Sequence, residues 1–141
     1  VYDPQKVRHV AATTVEWMRS IPPEHPMGSY IPKILAGWDK GFDVIGRGAP
    51  HLVVAHVPVG NPIAPVDALI ALAQVDVAAP AWGVGTCWAG FLTMAAAGSP
   101  GVATALGLPP DHRMYGGLMI GYPEFDYARI PTRNPVRVIW G

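Results

Sequence analysis

Apolar side chains recur every three or four positions near the front of the chain: Val7, Val10, Ala11, Val15 and Met18, with Thr14 in the same register. That spacing places them on one stripe of an α-helix. Asp3 followed by Pro4 supplies the start, an oxygen to cap free amides and a ring that presets the first helical φ. The pattern predicts a helix from Pro4 to about Ser20. Four prolines and a glycine within 21–32 then forbid both helix and ladder, so this stretch reads as a loop. A shorter helix is predicted over 33–40, with Gly41 as its stop.

The period then changes. Pro50-His51-Leu52-Val53-Val54-Ala55-His56-Val57, held between Gly48 and Pro58, is rich in β-branched residues and reads as a strand. After a loop at 61–64, Pro65 opens an Ala-rich helix reaching about Ala81, with Asp67 in the first turn, where a carboxylate suits the helix dipole. This run is long enough to raise a membrane span, but Asp67, Gln74, Asp76 and Pro80 interrupt it. A helix apolar on nearly every side is expected to be the buried spine of a core. Beyond it come a short extended segment over 83–88, a helix over 89–97 ended by Gly98, and a second short helix capped by Ser99 and ending at Leu106-Gly107. Met114 to Ile120 reads as a second strand, where Gly116-Gly117 allows close approach of another backbone. The tail after Gly121 carries Arg129, Arg133 and Arg137 among prolines. This order predicts one helix-dominated domain over 1–141, α+β or α/β, without internal repeats.

Composition narrows the function classes. Ten basic residues balance ten acidic ones in the 141-residue chain. A nucleic-acid or membrane-surface binder needs a basic excess or cluster, which is absent. Only 14% of residues are charged while 50% are hydrophobic, so disorder is excluded and part of the apolar surface is expected to be covered by a partner. Cys87 is the only cysteine, which rules out an intrachain disulfide framework and any multi-cysteine metal site within the chain. It also fits a reducing compartment. Together with an opening that reads as a capped helix rather than a leader, this gives a cytoplasmic expectation.

Candidate chemistry is sparse. The five histidines, His9, His25, His51, His56 and His112, never fall at the spacing of a helical metal pair. His51 and His56, five apart on a strand, point to opposite faces. They read as packing or surface histidines. Cys87 lies in Gly83-Val84-Gly85-Thr86-Cys87-Trp88 with no protease signature around it, and a lone cysteine is most often a small buried hydrophobe. A dinucleotide fingerprint fails because Trp88 stands where the third glycine belongs and a helix precedes the motif. What remains is a Gly-rich transition from extended chain to helix at Trp88-Ala89-Gly90-Phe91 and an Arg-Pro tail. Backbone amides at a helix start, with small residues beside them, suit the edge of a flat redox ring, and arginines suit a phosphate.

Six segments carry a family resemblance: 48–56, 64–72, 81–91, 106–109, 115–123 and 129–135. The Gly-x-Gly-Thr-Cys-Trp block and the Gly-Tyr-Pro…Arg-Ile-Pro-x-Arg-Asn-Pro tail are the more specific. In these the chain resembles the FMN-dependent nitroreductases, in the branch fused to or served by ferredoxin-like iron–sulfur modules. The resemblance implies an α+β nitroreductase-like fold, with a central mixed sheet flanked by helices, in an intertwined homodimer holding two FMN at its interface. It implies a flavin oxidoreductase taking two electrons from NAD(P)H or a ferredoxin-type donor and passing them to a nitroaromatic, quinone or similar small acceptor. Flavin contacts would come from the backbone of Trp88, Ala89 and Gly90, with Cys87 adjacent, and phosphate contacts from Arg133, with Arg129 the second candidate. Ala89 stands where many members carry Glu, and Pro131 where some carry Lys. The family's opening Arg-Arg-Ser-x-Arg and Pro-Ser…Asn segments have no counterpart, so the chain is expected to be the C-terminal part of a longer one. The rival expectation is a non-catalytic interaction module on a degenerate flavin fold. Flavin destruction or dehalogenation on the same fold is a third.

Overall fold

The computed structural model describes residues 1–126, 128, 129 and 131–141. Helix α1 is Pro4–Arg19, and the Asp3 side chain accepts the Gln5 N–H at 2.9 Å, as the capping pair predicts. Its stripe is fully packed: Val7, Val10, Ala11, Thr14, Val15 and Met18 are all buried. Thr14 meets no unpaired fate there, because its hydroxyl donates to the Val10 carbonyl at 2.9 Å. Helix α2, Ile31–Asp39, begins two residues before the predicted start at 33. Pro32 lies in its first turn, where the missing N–H breaks no helical bond.

Strand β1 is His51–Pro58, helix α3 is Ala64–Ala78, strand β2 is Gly85–Trp88, helix α4 is Gly90–Gly98, helix α5 is Pro100–Leu106 and strand β3 is His112–Gly121. The helix predicted to reach Ala81 ends at Ala78 and tightens into a 3₁₀ turn, Ala79–Trp82. Gly83, at φ +68°, then reverses the chain into β2. Ser99 caps α5 by accepting the Val102 N–H at 3.4 Å.

The strands form one sheet in the order β1-β3-β2, and both pairings are antiparallel. The mixed sheet implied by the resemblance is therefore not what the described residues form. Antiparallel pairing suits two long strands whose chain directions are set by the helices between them, and it leaves the four-residue β2 at an edge. The ladder between β1 and β3 slips once. Ala55 lies opposite Gly116 but His56 lies opposite Met114, so Tyr115 is an extra residue, a β-bulge.

Helices cover both faces of the sheet. On one face Leu52, Met114 and Met119 join Val7, Val10, Leu92, Ala95 and Val102 in a core shared with α1, α4 and α5. A second core, around Ala11, Val15, Met18, Met27, Ile31 and Ile34, continues along the same stripe of α1 and packs it against α2. Gly98 is the close contact between helices: a Cβ there would lie 2.7 Å from the Trp17 ring. Helix α3 covers the opposite face of the sheet, and here the expectation of a buried spine fails. Only Ala64, Ala68 and Leu72 are buried, while Val66, Leu69, Ile70 and Val77 are exposed. The stretch Ala64–Trp82 is long and apolar enough to cross a membrane by length and composition, yet its buried stripe packs on β1 and β3.

Candidate functional site

The interest lies where β2 leaves the sheet edge. Residues on a strand alternate faces, so Thr86 and Trp88 look toward α3 while Cys87 joins the edge of the α1–α4–α5 core. Cys87 is half-buried, and its thiol makes only a weak contact, 3.9 Å, to the Trp88 carbonyl. One carboxylate on α3 takes both outward donors. The Trp88 indole N–H donates to Asp76 Oδ2 at 3.1 Å, and the Thr86 hydroxyl donates to Asp76 Oδ1. Asp76 thereby ties a short edge strand to the helix that precedes it.

Ala89 is the hinge into α4. It is 4% exposed, its N–H donates to the Gly117 carbonyl at 2.9 Å, and its own carbonyl accepts both the N–H and the hydroxyl of Thr93 at 3.0 Å. A Cβ at Gly117 would meet the Met114 methyl at 2.7 Å and the Val53 carbonyl oxygen at 3.2 Å. With alanine in the capping position, α4 begins without any side-chain cap. Its first-turn amides, from Gly90 onward, are left without helical partners. A Cβ built at Gly90 meets nothing within 4 Å, so this helix start faces open space.

Beside Cys87 lies a cavity of about 410 Å³, walled by Thr86, Cys87, Gly121, Tyr122 and the 46–50 loop. Arg47 lines it in the left-handed region, φ +53°, unlike any other non-glycine described. Asp43 builds that loop by accepting the N–H groups of Ile45, Gly46 and Gly48 at 3.1, 2.7 and 3.2 Å. A cavity of about 400 Å³ between α1 and the 41–49 loop does not reach the junction.

The structure thus brings Cys87, Trp88, Ala89 and Gly90 into one corner. It does not bring the arginines there: Arg129 and Arg133 are exposed in an irregular tail. No hydrogen bond or ion pair of the described residues ties either arginine to the junction. Two residues at the corner escaped the sequence reading. Asp76 was legible only as a charge interrupting an apolar helix; two donors at i and i+2 after a glycine turn were the further signal. Arg47 left no signal beyond its place between two glycines. Among the described residues no three His, Cys, Asp or Glu side chains gather as a metal site.

The nitroreductase family model matches residues 1–122. A crystal structure of an FMN-bound nitroreductase from Bacteroides fragilis superposes with a TM-score of 0.71 at 21% identity, over 95% of this chain and 69% of that one. An FMN-bound nitroreductase from Desulfitobacterium hafniense gives 0.71 at 17% identity, over 99% and 72%. Oxidised iodotyrosine deiodinase, bound to FMN and 3-iodo-L-tyrosine, gives 0.60 at 18% identity, over 100% and 73%. At these identities the likeness is one of fold, and it places the chain in the α+β class expected from the sequence. No curated protein matches in sequence.

Proposed function

The chain belongs to the nitroreductase family, and on that premise we propose that it is an FMN-dependent oxidoreductase passing two electrons from a reduced donor to a flat acceptor. The donor is NAD(P)H or a ferredoxin-type protein, and the acceptor a nitroaromatic, a quinone or a similar small molecule. One observation carries the reading: the uncapped start of α4 at Gly90, open to space and free of side chain. Helix-start amides favour hydrogen-bond acceptors and negative charge, which suits the polar edge of a flavin ring. When bound, FMN supplies the two-electron chemistry.

The chain's own residues bind and orient. Gly90 lets backbone reach ring contact. Trp88, held by Asp76, and Cys87 set the position of that backbone. Arg133, with Arg129, offers the planar fork that suits a phosphate. Ala89 contributes no carboxylate, and solvent can supply the protons. A homodimer is part of the proposal: Val66, Ile70 and Val77 on α3, and Val138, Ile139 and Trp140 in the tail, present apolar surface that a second copy would cover. The test is titration of FMN into the purified full chain. Quenching of flavin fluorescence at one FMN per chain and bleaching of the visible band by reductant are expected. A colourless chain that takes up no FMN supports the rival interaction module. Dehalogenation is the second catalytic reading, favoured by the deiodinase likeness; release of iodide from an iodoaromatic in preference to nitro reduction would select it.

A further inference from the structure

We propose that His56 and His112 form a bidentate site for a late divalent transition-metal ion, copper(II) or nickel(II). The inference is independent of flavin binding and rests on the bulge in the β1–β3 ladder.

On β1, Leu52, Val54 and His56 alternate onto the face that meets α1, α4 and α5, and the first two pack in that core. Unbroken pairing would set Tyr115 opposite His56, with Arg113 next along that face. The slip sets Met114 opposite His56 instead. Every β3 residue before the slip therefore changes face. Met114 enters the core at 3% exposure, His112 joins His56, and Arg113 turns to the opposite face with its partner Val57. Bulges re-aim side chains in this way. Here the bulge brings two imidazoles together and carries the intervening cation away.

The two Nδ1 atoms lie 2.8 Å apart, the ring centroids 4.9 Å apart, and the ring planes are inclined by 57°. As neutral rings they share one hydrogen bond, one Nδ1–H donating to the other Nδ1. Moving that proton from Nδ1 to Nε2 of the same ring leaves both Nδ1 lone pairs for an ion, with no net proton lost. His56 is exposed and His112 half-buried, so each imidazole can turn about χ2 to aim its lone pair. Ligand type and affinity choose among metals. With metal–nitrogen bonds of about 2.0 Å, one ion needs the two nitrogens about 2.8–3.3 Å apart, and the 2.8 Å hydrogen-bond separation lies within reach of that once the rings turn. Imidazole nitrogen suits copper(II) and nickel(II), and copper(II) leads the affinity order. Among the described residues no third His, Cys, Asp or Glu completes a cluster, so water fills the remaining positions and the ion exchanges readily.

The test titrates the full chain with copper(II) and nickel(II) salts at neutral pH, using calorimetry for stoichiometry and electron paramagnetic resonance for the copper ligands. One equivalent is expected, with hyperfine structure from two imidazole nitrogens. His56→Asn and His112→Asn should each weaken binding at least about tenfold, since one donor loses the chelate. His51→Asn, on the other face of the same strand, should leave it unchanged. Nickel should also raise the unfolding temperature of the unaltered chain, relative to chelator, and fail to do so in either variant. That comparison holds even if a variant is itself less stable. Absence of binding, binding undiminished in both variants, or a copper signal with a single nitrogen would overturn the proposal.

Discussion

Replacing Asp76 by leucine tests whether one carboxylate holds the edge strand in place. The substitution puts a larger, apolar side chain in place of both acceptors, those of the Trp88 indole N–H at 3.1 Å and of the Thr86 hydroxyl. Hydrogen bonds to a charged group are worth about 1.5–3 kcal/mol when buried. Here Asp76 is half-buried and Trp88 is 43% exposed, so water replaces part of each bond and about 1 kcal/mol apiece remains. The loss is then about 2 kcal/mol, or a fall of roughly 6 °C in unfolding temperature for a chain of this size. Asp76→Asn sharpens the test. Its oxygen accepts the indole N–H while its amide donates to the Thr86 hydroxyl, so both links survive at a cost under about 1 kcal/mol. Because β2 runs directly into Ala89 and Gly90, FMN affinity should fall about tenfold with leucine and little with asparagine. Thermal unfolding followed by circular dichroism, paired with quenching of flavin fluorescence, reads both effects. If the leucine variant melts and binds FMN like the original, the clamp does nothing; if asparagine is as harmful as leucine, charge rather than hydrogen-bond geometry is what matters.

Gly90→Val adds a side chain into open space, so the fold should persist by circular dichroism while FMN binding weakens at least about tenfold. Arg133→Ala should lower FMN affinity more than Arg129→Ala does; equal retention in both variants would remove the phosphate assignment. Gly98→Ala drives a methyl to 2.7 Å from the Trp17 ring and should cost about 1–3 kcal/mol in urea unfolding. Ile70→Glu, on the exposed side of α3 at 55%, should leave each chain folded and shift sedimentation toward monomer; a species of unchanged size would place the dimer contact elsewhere.

Local chemistry made much of the fold legible. A capping aspartate, a proline and a clean apolar stripe located α1, and Ser99 located α5, because these signals act within one turn of chain. Pro32 misled the reading of α2, since a breaker in mid-helix is harmless in a first turn. The exposure of α3 was not legible for a physical reason: a helix apolar all round gives no side to bury. The bulge at Tyr115 and the antiparallel pairing depend on which helices press on the sheet, a tertiary fact without a local signature. The same holds at the candidate site. Trp88, Ala89 and Gly90 stood out as a Gly-rich helix start, but the turn at Gly83 that swings Asp76 onto Thr86 and Trp88 joins residues ten and twelve apart.

Helix α4 serves two masters. Its first turn opens toward the surface at Gly90, while Leu92 and Ala95, within the next turn and a half, are 2% and 0% exposed in the core against α1 and α5. A rod of nine residues has no joint at which a shift at one end can be absorbed before the other. Variation in the core is therefore not silent with respect to chemistry. A screen for altered FMN affinity is expected to recover substitutions at Val10, Val102 or Leu106, in the core against α4, alongside those at the junction itself. The packing of the core and the placing of the α4 start are, in this chain, one problem.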